Sequence, residues 1–237
     1  MHLYAFSCDS LIDETRQPVY GARDQVDKVK LAELGIPYWF AGNFGTPQGL
    51  LIAQELGGAG IQLGSLFGLC TSSGMVAWAR HFFINEAIAG EGIKVHTSIE
   101  ASPTTYPFKV ALADQSLSNE EIYANRRRIC DLGLLCEAFV GEEGSLKFRC
   151  AAEPIANYVK KGGDSTSTLG KICLCNALLA AVDLAQVRHH PDTPDYIEPP
   201  IFTLGDGAND AIKQLVGDIG RTDFTARDIM QWLHRSS

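Results

Sequence analysis

Two short segments of this sequence are suited to approaching an anion closely. Ala41-Gly42-Asn43 and Gln62-Leu63-Gly64-Ser65 each close an apolar run, and each precedes a helix start. Glycine lets a backbone N–H come near a ligand with no Cβ in the way, and the free N–H groups of the next helix point at the same place. A phosphate held there gains hydrogen bonds and the favourable end of the helix dipole. Neither segment is the full G-x-G-x-x-G of a dinucleotide fold, so that fingerprint does not apply. Glycine turns also close βα units that bind nothing, and residue types alone leave both readings open.

Seven cysteines are the second candidate chemistry. Cys130, Cys136, Cys150, Cys173 and Cys175 fall in the C-terminal part, at C-x5-C and C-x-C spacings. Zinc sites usually announce themselves as closer C-x2–4-C pairs. The pattern therefore predicts no metal, and buried free thiols in a reducing compartment. The histidines give no general base: His81 follows Arg80 on a helical stretch, His189-His190 lies beside Pro191 in a loop, and His2, His96 and His234 stand in no motif. Arg126-Arg127-Arg128 reads as the solvated face of a helix, because successive side chains point in different directions around the axis.

The elements that must position the glycine turns are short. Asp24-Gln25-Val26-Asp27 starts a helix to Glu33, and Ile36 to Ala41 is apolar on both faces, as in a covered parallel strand. Thr46-Pro47 is a helix start, Thr as N-cap and Pro at the first helical position. That helix stops at Gly57-Gly58, and Ala59 to Gly64 is a second buried strand. Ser65 is read as the cap of the next helix, and Ser72-Ser73 as the start of one running to Ala89. Residues 24–90 thus read αβαβα, the order of an α/β protein with a parallel sheet. Beyond Gly92, Lys94 to Thr97 is extended and Ala101 to Val110 a loop. Glu120 to Ile129, Ala152 to Lys161, Lys171 to Leu184, Asp206 to Val216 and Thr225 to His234 are helices, with a Pro-rich loop over 191–200. Leu3 to Phe6 is a short strand or extended arm.

Composition narrows the class further. Apolar residues make up 46% of 237, enough for a core and far from a disordered chain. The net charge of −8 offers nucleic acid no general attraction. No apolar run reaches the length of a bilayer crossing, and Met1-His2-Leu3-Tyr4 lacks the start of a signal peptide. These features predict a cytoplasmic protein with neither nucleic acid nor membrane as partner.

A family resemblance attaches to particular residues. Ile36-Pro37-Tyr38-Trp39-Phe40-Ala41-Gly42, Gly45-Thr46-Pro47 and Gly58 to Phe67 resemble the nitronate monooxygenase family, also called 2-nitropropane dioxygenase. The likeness continues through Ala101-Ser102-Pro103-Thr104, Cys130-Asp131-Leu132-Gly133, Arg149 to Pro154, Tyr158 to Asp164 and Lys171 to Asn176. The later segments are similar to larger members, close to the FMN enoyl reductases of polyketide and polyunsaturated fatty-acid synthases. The resemblance implies an FMN-binding (β/α)8 TIM barrel, of which residues 1–92 supply C-terminal strands and helices and 93–237 a loop-rich, mainly helical extension. It implies that Gly42, Asn43, Gln62, Leu63, Gly64 and Ser65 hold the FMN phosphate, with a second family glycine standing where Asn43 does.

The implied activity is FMN-dependent oxidation of alkyl nitronates by oxygen. The alternatives are an FMN enoyl reductase acting on an enoyl thioester, and a non-catalytic barrel fragment or one half of a two-chain enzyme. Family members carry a catalytic histidine in a Gly-Gly-His segment before the position of Gln17 to Gly21, and Met1 to Arg16 hold no such motif. The sequence is accordingly expected to match the C-terminal half of a family member, truncated, split or started late. It would be completed by an N-terminal half or by self-association, and no catalytic residue is assigned.

Overall fold

The computed structural model describes residues 11–14, 18–22, 25–141 and 143–235. The expected strand at Leu3 to Phe6 lies outside them, as does His2. In chain order the elements begin with β1 (Leu11–Ile12), β2 (Pro18–Val19), α1 (Lys28–Glu33), β3 (Trp39–Phe40), α2 (Pro47–Glu55), β4 (Gly60–Ile61), α3 (Ser65–Leu69) and α4 (Ala77–Ala89). They continue with β5 (Val95–Ser98), β6 (Phe108–Ala111), α5 (Glu120–Asn125), β7 (Glu137–Val140), β8 (Leu146–Arg149), α6 (Ile155–Lys160) and α7 (Leu174–Ala180). The last are β9 (Val187–His190), β10 (Thr193–Ile197), α8 (Ala208–Ile219) and α9 (Ala226–Leu233). Helices and strands are mixed, and every sheet among the described residues has two strands. The described residues form no closed barrel. No helix among them is long and apolar enough to cross a membrane.

The chain divides into two compact units. The first comprises residues to Val95 together with Leu204 onward, and the second is His96–Thr203. Helices α8 and α9, expected in the extension over 93–237, therefore belong to the unit that carries the glycine turns.

In the first unit, β3 and β4 pair in parallel, Trp39 opposite Gly60 and Phe40 opposite Ile61. Thr46 caps α2 as the sequence predicts: its Oγ1 accepts the Gly49 N–H at 3.0 Å. The Phe40 and Phe44 rings stack with centroids 5.1 Å apart, and both are buried with Ala53 beneath α2. Ser65 does not cap α3; Gly64 takes that position and makes no side-chain bond to the helix. Thr225 and Asp228 form a reciprocal capping box at the start of α9. Trp232 is buried, and its Nε1 donates to Asp218 Oδ2 at 2.7 Å, locking α9 to α8.

The second unit has a small apolar core of Ala101, Val110, Leu117, Ile172, Leu174, Ala177 and Ile201. Around it, charged side chains satisfy the backbone of irregular segments. The arginine run is not a solvated helix face, because α5 ends at Asn125 and Arg126 is already extended. Arg128 donates to the carbonyls of Ala151 at 2.5 Å, Glu153 at 3.1 Å and Thr168 at 3.3 Å. Arg126 donates to Lys171 O at 3.1 Å, and Arg127 sits over the Tyr196 ring at 5.0 Å. Buried carbonyls outside a ladder need such donors. The Pro-rich segment over 191–200 is likewise not a plain loop: β9 and β10 form an antiparallel hairpin with a register shift between Thr193 and Tyr196.

One buried acidic group in this unit has a visible consequence for stability. Burial alone would raise Asp131, but hydrogen bonds from Arg188 and Asn176 outweigh it and hold its carboxyl below the usual range. Glu198 is 4% exposed, and burial pushes its carboxyl from 4.5 up to about 7, with Arg188 only partly offsetting the cost. A raised carboxyl means that the folded chain holds a proton the unfolded chain has released. Its stabilising contribution is complete below 4.5 and is lost as pH rises through about 7. We expect urea midpoints to fall over that window, and Glu198→Gln to flatten the fall. An unchanged slope in the variant would remove Glu198 as its source.

Candidate phosphate-binding site

The two glycine turns come from adjacent strands. The parallel register of β3 and β4 puts their C-terminal ends side by side, so Gly42-Asn43 and Gln62-Leu63-Gly64-Ser65 leave the sheet at neighbouring positions. Gln62 continues the pairing, its N–H donating to Phe40 O at 2.7 Å. Gly42 has φ +86°, a left-handed conformation that costs a side chain dearly, and a Cβ built there would meet nothing within 4 Å. Gly64 is right-handed, with φ −90°, and is also open on its Cβ side. Gly42, Asn43, Gln62 and Gly64 are exposed or half-buried, as are Leu63 and Ser65.

A third segment converges on them. Ser65 Oγ accepts the Gly205 N–H at 2.7 Å. Gly207, which precedes α8, lies so close to Asn43 that a Cβ there would overlap the Asn43 side chain. Asn43 is not left-handed; Gly42 alone of that pair takes the positive φ. An asparagine is thus compatible with the backbone, and its side chain packs on the segment before α8. The Ser65 hydroxyl, having accepted from Gly205, keeps its own hydrogen to donate. The sequence pattern points to two of the three contributors; it misses Gly205-Asp206-Gly207, although that glycine pairing before a helix is the same signal.

Other candidate groups sit elsewhere. His81 Nε2 lies 3.6 Å from Asp223 Oδ1, and His189 Nδ1 lies 2.8 Å from Asp195 Oδ2, all four side chains largely exposed. Burial lowers the His96 imidazole below its usual value. The thiols of Cys130, Cys136 and Cys150 lie within 4.8 Å of one another. Burial pushes Cys150 up to about 12, and Cys136 is raised by burial and by the neighbouring Cys130. Spacing along the chain gives no sign of this cluster, because the hairpin β7–β8 that closes it is not evident in the sequence.

Comparison of the chain with protein-family models, with curated proteins and with solved structures finds no match.

The Ser65–Gly205 hydrogen bond can be tested without a ligand. Ser65→Ala leaves a half-buried N–H without its acceptor, at a cost of about 1–3 kcal/mol. We expect this loss of stability by urea denaturation, and Ser65→Thr, which keeps the hydroxyl, to recover most of it. A neutral Ser65→Ala would show that water replaces the hydroxyl freely.

Proposed function

We propose that this chain is an FMN-dependent oxidoreductase of the nitronate monooxygenase kind, with the flavin phosphate on the turns after β3 and β4. The observation that supports this reading is the side-by-side exit of two glycine turns from parallel strands, both with open space where a Cβ would stand. That is the arrangement by which the C-terminal face of an α/β barrel takes a cofactor phosphate. In this reading Gly42, Asn43, Gln62, Leu63 and Gly64 bring backbone to the phosphate, and the Ser65 hydroxyl donates to it. The flavin would supply the redox chemistry; the chain would bind and orient it. The TIM-barrel fold itself belongs to the proposal.

A second reading is an FMN enoyl reductase. It is favoured by a cavity of about 830 Å³ in the second unit whose lining includes Lys147 and Lys160, together with Arg149 and Lys161, which pair with Glu137 and Glu153. Its positive charge suits the phosphate of an acyl thioester handle. Oxygen consumption with propyl-2-nitronate, against NADPH oxidation with crotonyl-CoA, separates the two activities.

The cofactor is tested first. We expect added FMN to lose fluorescence on titration with the purified chain, saturating at one flavin per chain. Gly64→Val fills the open space with a side chain whose Cβ touches no protein atom, so the fold should survive and flavin binding should be lost. Unaltered binding in that variant would remove the phosphate assignment, and no binding by the parent chain would remove the flavin reading.

A further inference from the structure

Strands β7 and β8 make an antiparallel hairpin with Glu137 opposite Arg149 at its open end. Cys136 precedes the first of these residues and Cys150 follows the second, so the register brings the two cysteines face to face across the base of the hairpin. Cys130, on the segment that follows the arginines, reaches the same point, and the three Sγ atoms lie within 4.8 Å of one another. A tetrahedral zinc with bonds of about 2.3 Å sets its sulfurs about 3.8 Å apart. The cluster is thus within about 1 Å of a metal-bound arrangement.

A carboxylate neighbours this cluster without being one of the three groups already gathered: after burial and Cys130, the Glu153 charge raises the Cys136 thiol. Glu153 is 5% exposed, and its N–H bonds Cys150 O at 2.9 Å. Oε2 takes Lys161 Nζ at 2.7 Å, while Oε1 is buried with no hydrogen-bond partner. A buried carboxylate oxygen left without a partner is costly and calls for a ligand. Lys161 and Arg128 bring positive charge to the Cys136 and Cys150 thiols respectively. That charge would offset the negative charge of a thiolate-rich site.

The hairpin has polar ties but little apolar support: the Tyr158 hydroxyl donates to Glu137 Oε1 at 3.1 Å and Arg149 Nη1 donates to Lys161 O at 3.2 Å. Val140, Leu146 and Phe148 are 72%, 66% and 56% exposed, so no core holds the strands. A two-stranded hairpin alone is marginal in water. We propose that Cys130, Cys136 and Cys150 bind one Zn²⁺ tetrahedrally, with Glu153 Oε1 as the fourth donor, and that the ion staples the base of this hairpin. The site is structural, since all four positions are filled by the chain. It is independent of the flavin reading.

The test uses the full chain, purified with a reductant, stripped with EDTA and titrated with Co²⁺ and then Zn²⁺. The expected result is one Co²⁺ per chain with an intense sulfur-to-cobalt charge-transfer band and the visible bands of tetrahedral coordination, displaced by one Zn²⁺. Zinc should slow alkylation of Cys130, Cys136 and Cys150 by iodoacetamide, mapped by peptide mass spectrometry, and leave Cys175 unchanged. Cys136→Ser should weaken metal binding about tenfold or more; if that variant fails to fold, the protection map on the unaltered chain decides. Glu153→Gln should weaken binding by a similar factor while keeping the charge-transfer band, and unaltered affinity there would remove Glu153 from the site. No uptake, a pale octahedral cobalt spectrum, or equal alkylation with and without zinc would overturn the proposal.

Discussion

The first unit depends on a hydrogen bond between residues 140 positions apart, from the Gly205 N–H to the Ser65 hydroxyl. Two-residue strands such as β3 and β4 cannot hold a turn in place by themselves. The returning segment supplies what they lack. It fixes Ser65 from one side, sets Gly207 against Asn43, and leads directly into α8, which packs on α3 and α4. Thr71 repeats the device at the far end of α3, where its N–H and hydroxyl both donate to Phe224 O, at 2.8 and 3.2 Å. Long-range bonds to loop backbone thus take the place of a wide sheet.

The second unit solves the same shortage of ladders with cations. Lys171 is buried, and its ammonium donates to the carbonyls of Ser102 at 2.9 Å and Ile99 at 3.4 Å. Burial lowers its ammonium below the ordinary lysine value, with Glu100 opposing that shift. Together with Arg126 and Arg128 it ties loops to loops through main-chain oxygens. Such contacts stabilise only as sets, because removing one donor leaves several carbonyls dry at once.

Local chemistry was legible in the sequence, and long-range chemistry was not. Thr46-Pro47 and Thr225 declared their helices because a cap bonds within its own first turn. The two βα turns were legible for the same reason, as apolar run, glycine and helix start follow in order. Arg126-Arg127-Arg128 misled because its partners lie far along the chain: Lys171 for Arg126, Tyr196 for Arg127, and Ala151, Glu153 and Thr168 for Arg128. The β9–β10 hairpin was hidden by Pro191 and Pro194, which a shifted register accommodates. The thiol cluster was hidden because Cys136 and Cys150 meet only through the pairing of the strands between them. The described residues form mixed helices and two-stranded sheets with no closed barrel, so the barrel implied by the family resemblance rests on that resemblance and not on the strands.

The division of the chain also orders its synthesis. Residues 96–203 are contiguous, so the second unit has all of its parts once Thr203 has left the ribosome. The first unit is interrupted, and its turns at Gly42 and Gly64 wait for Gly205, Gly207 and α8. At about 5–20 residues per second that wait is on the order of ten seconds. Through it the apolar faces of α2 and α4 have no α8 or α9 to cover them. A nascent chain of this design passes its greatest exposure to chaperones and to misassembly in mid-synthesis, with one unit complete and the other still open.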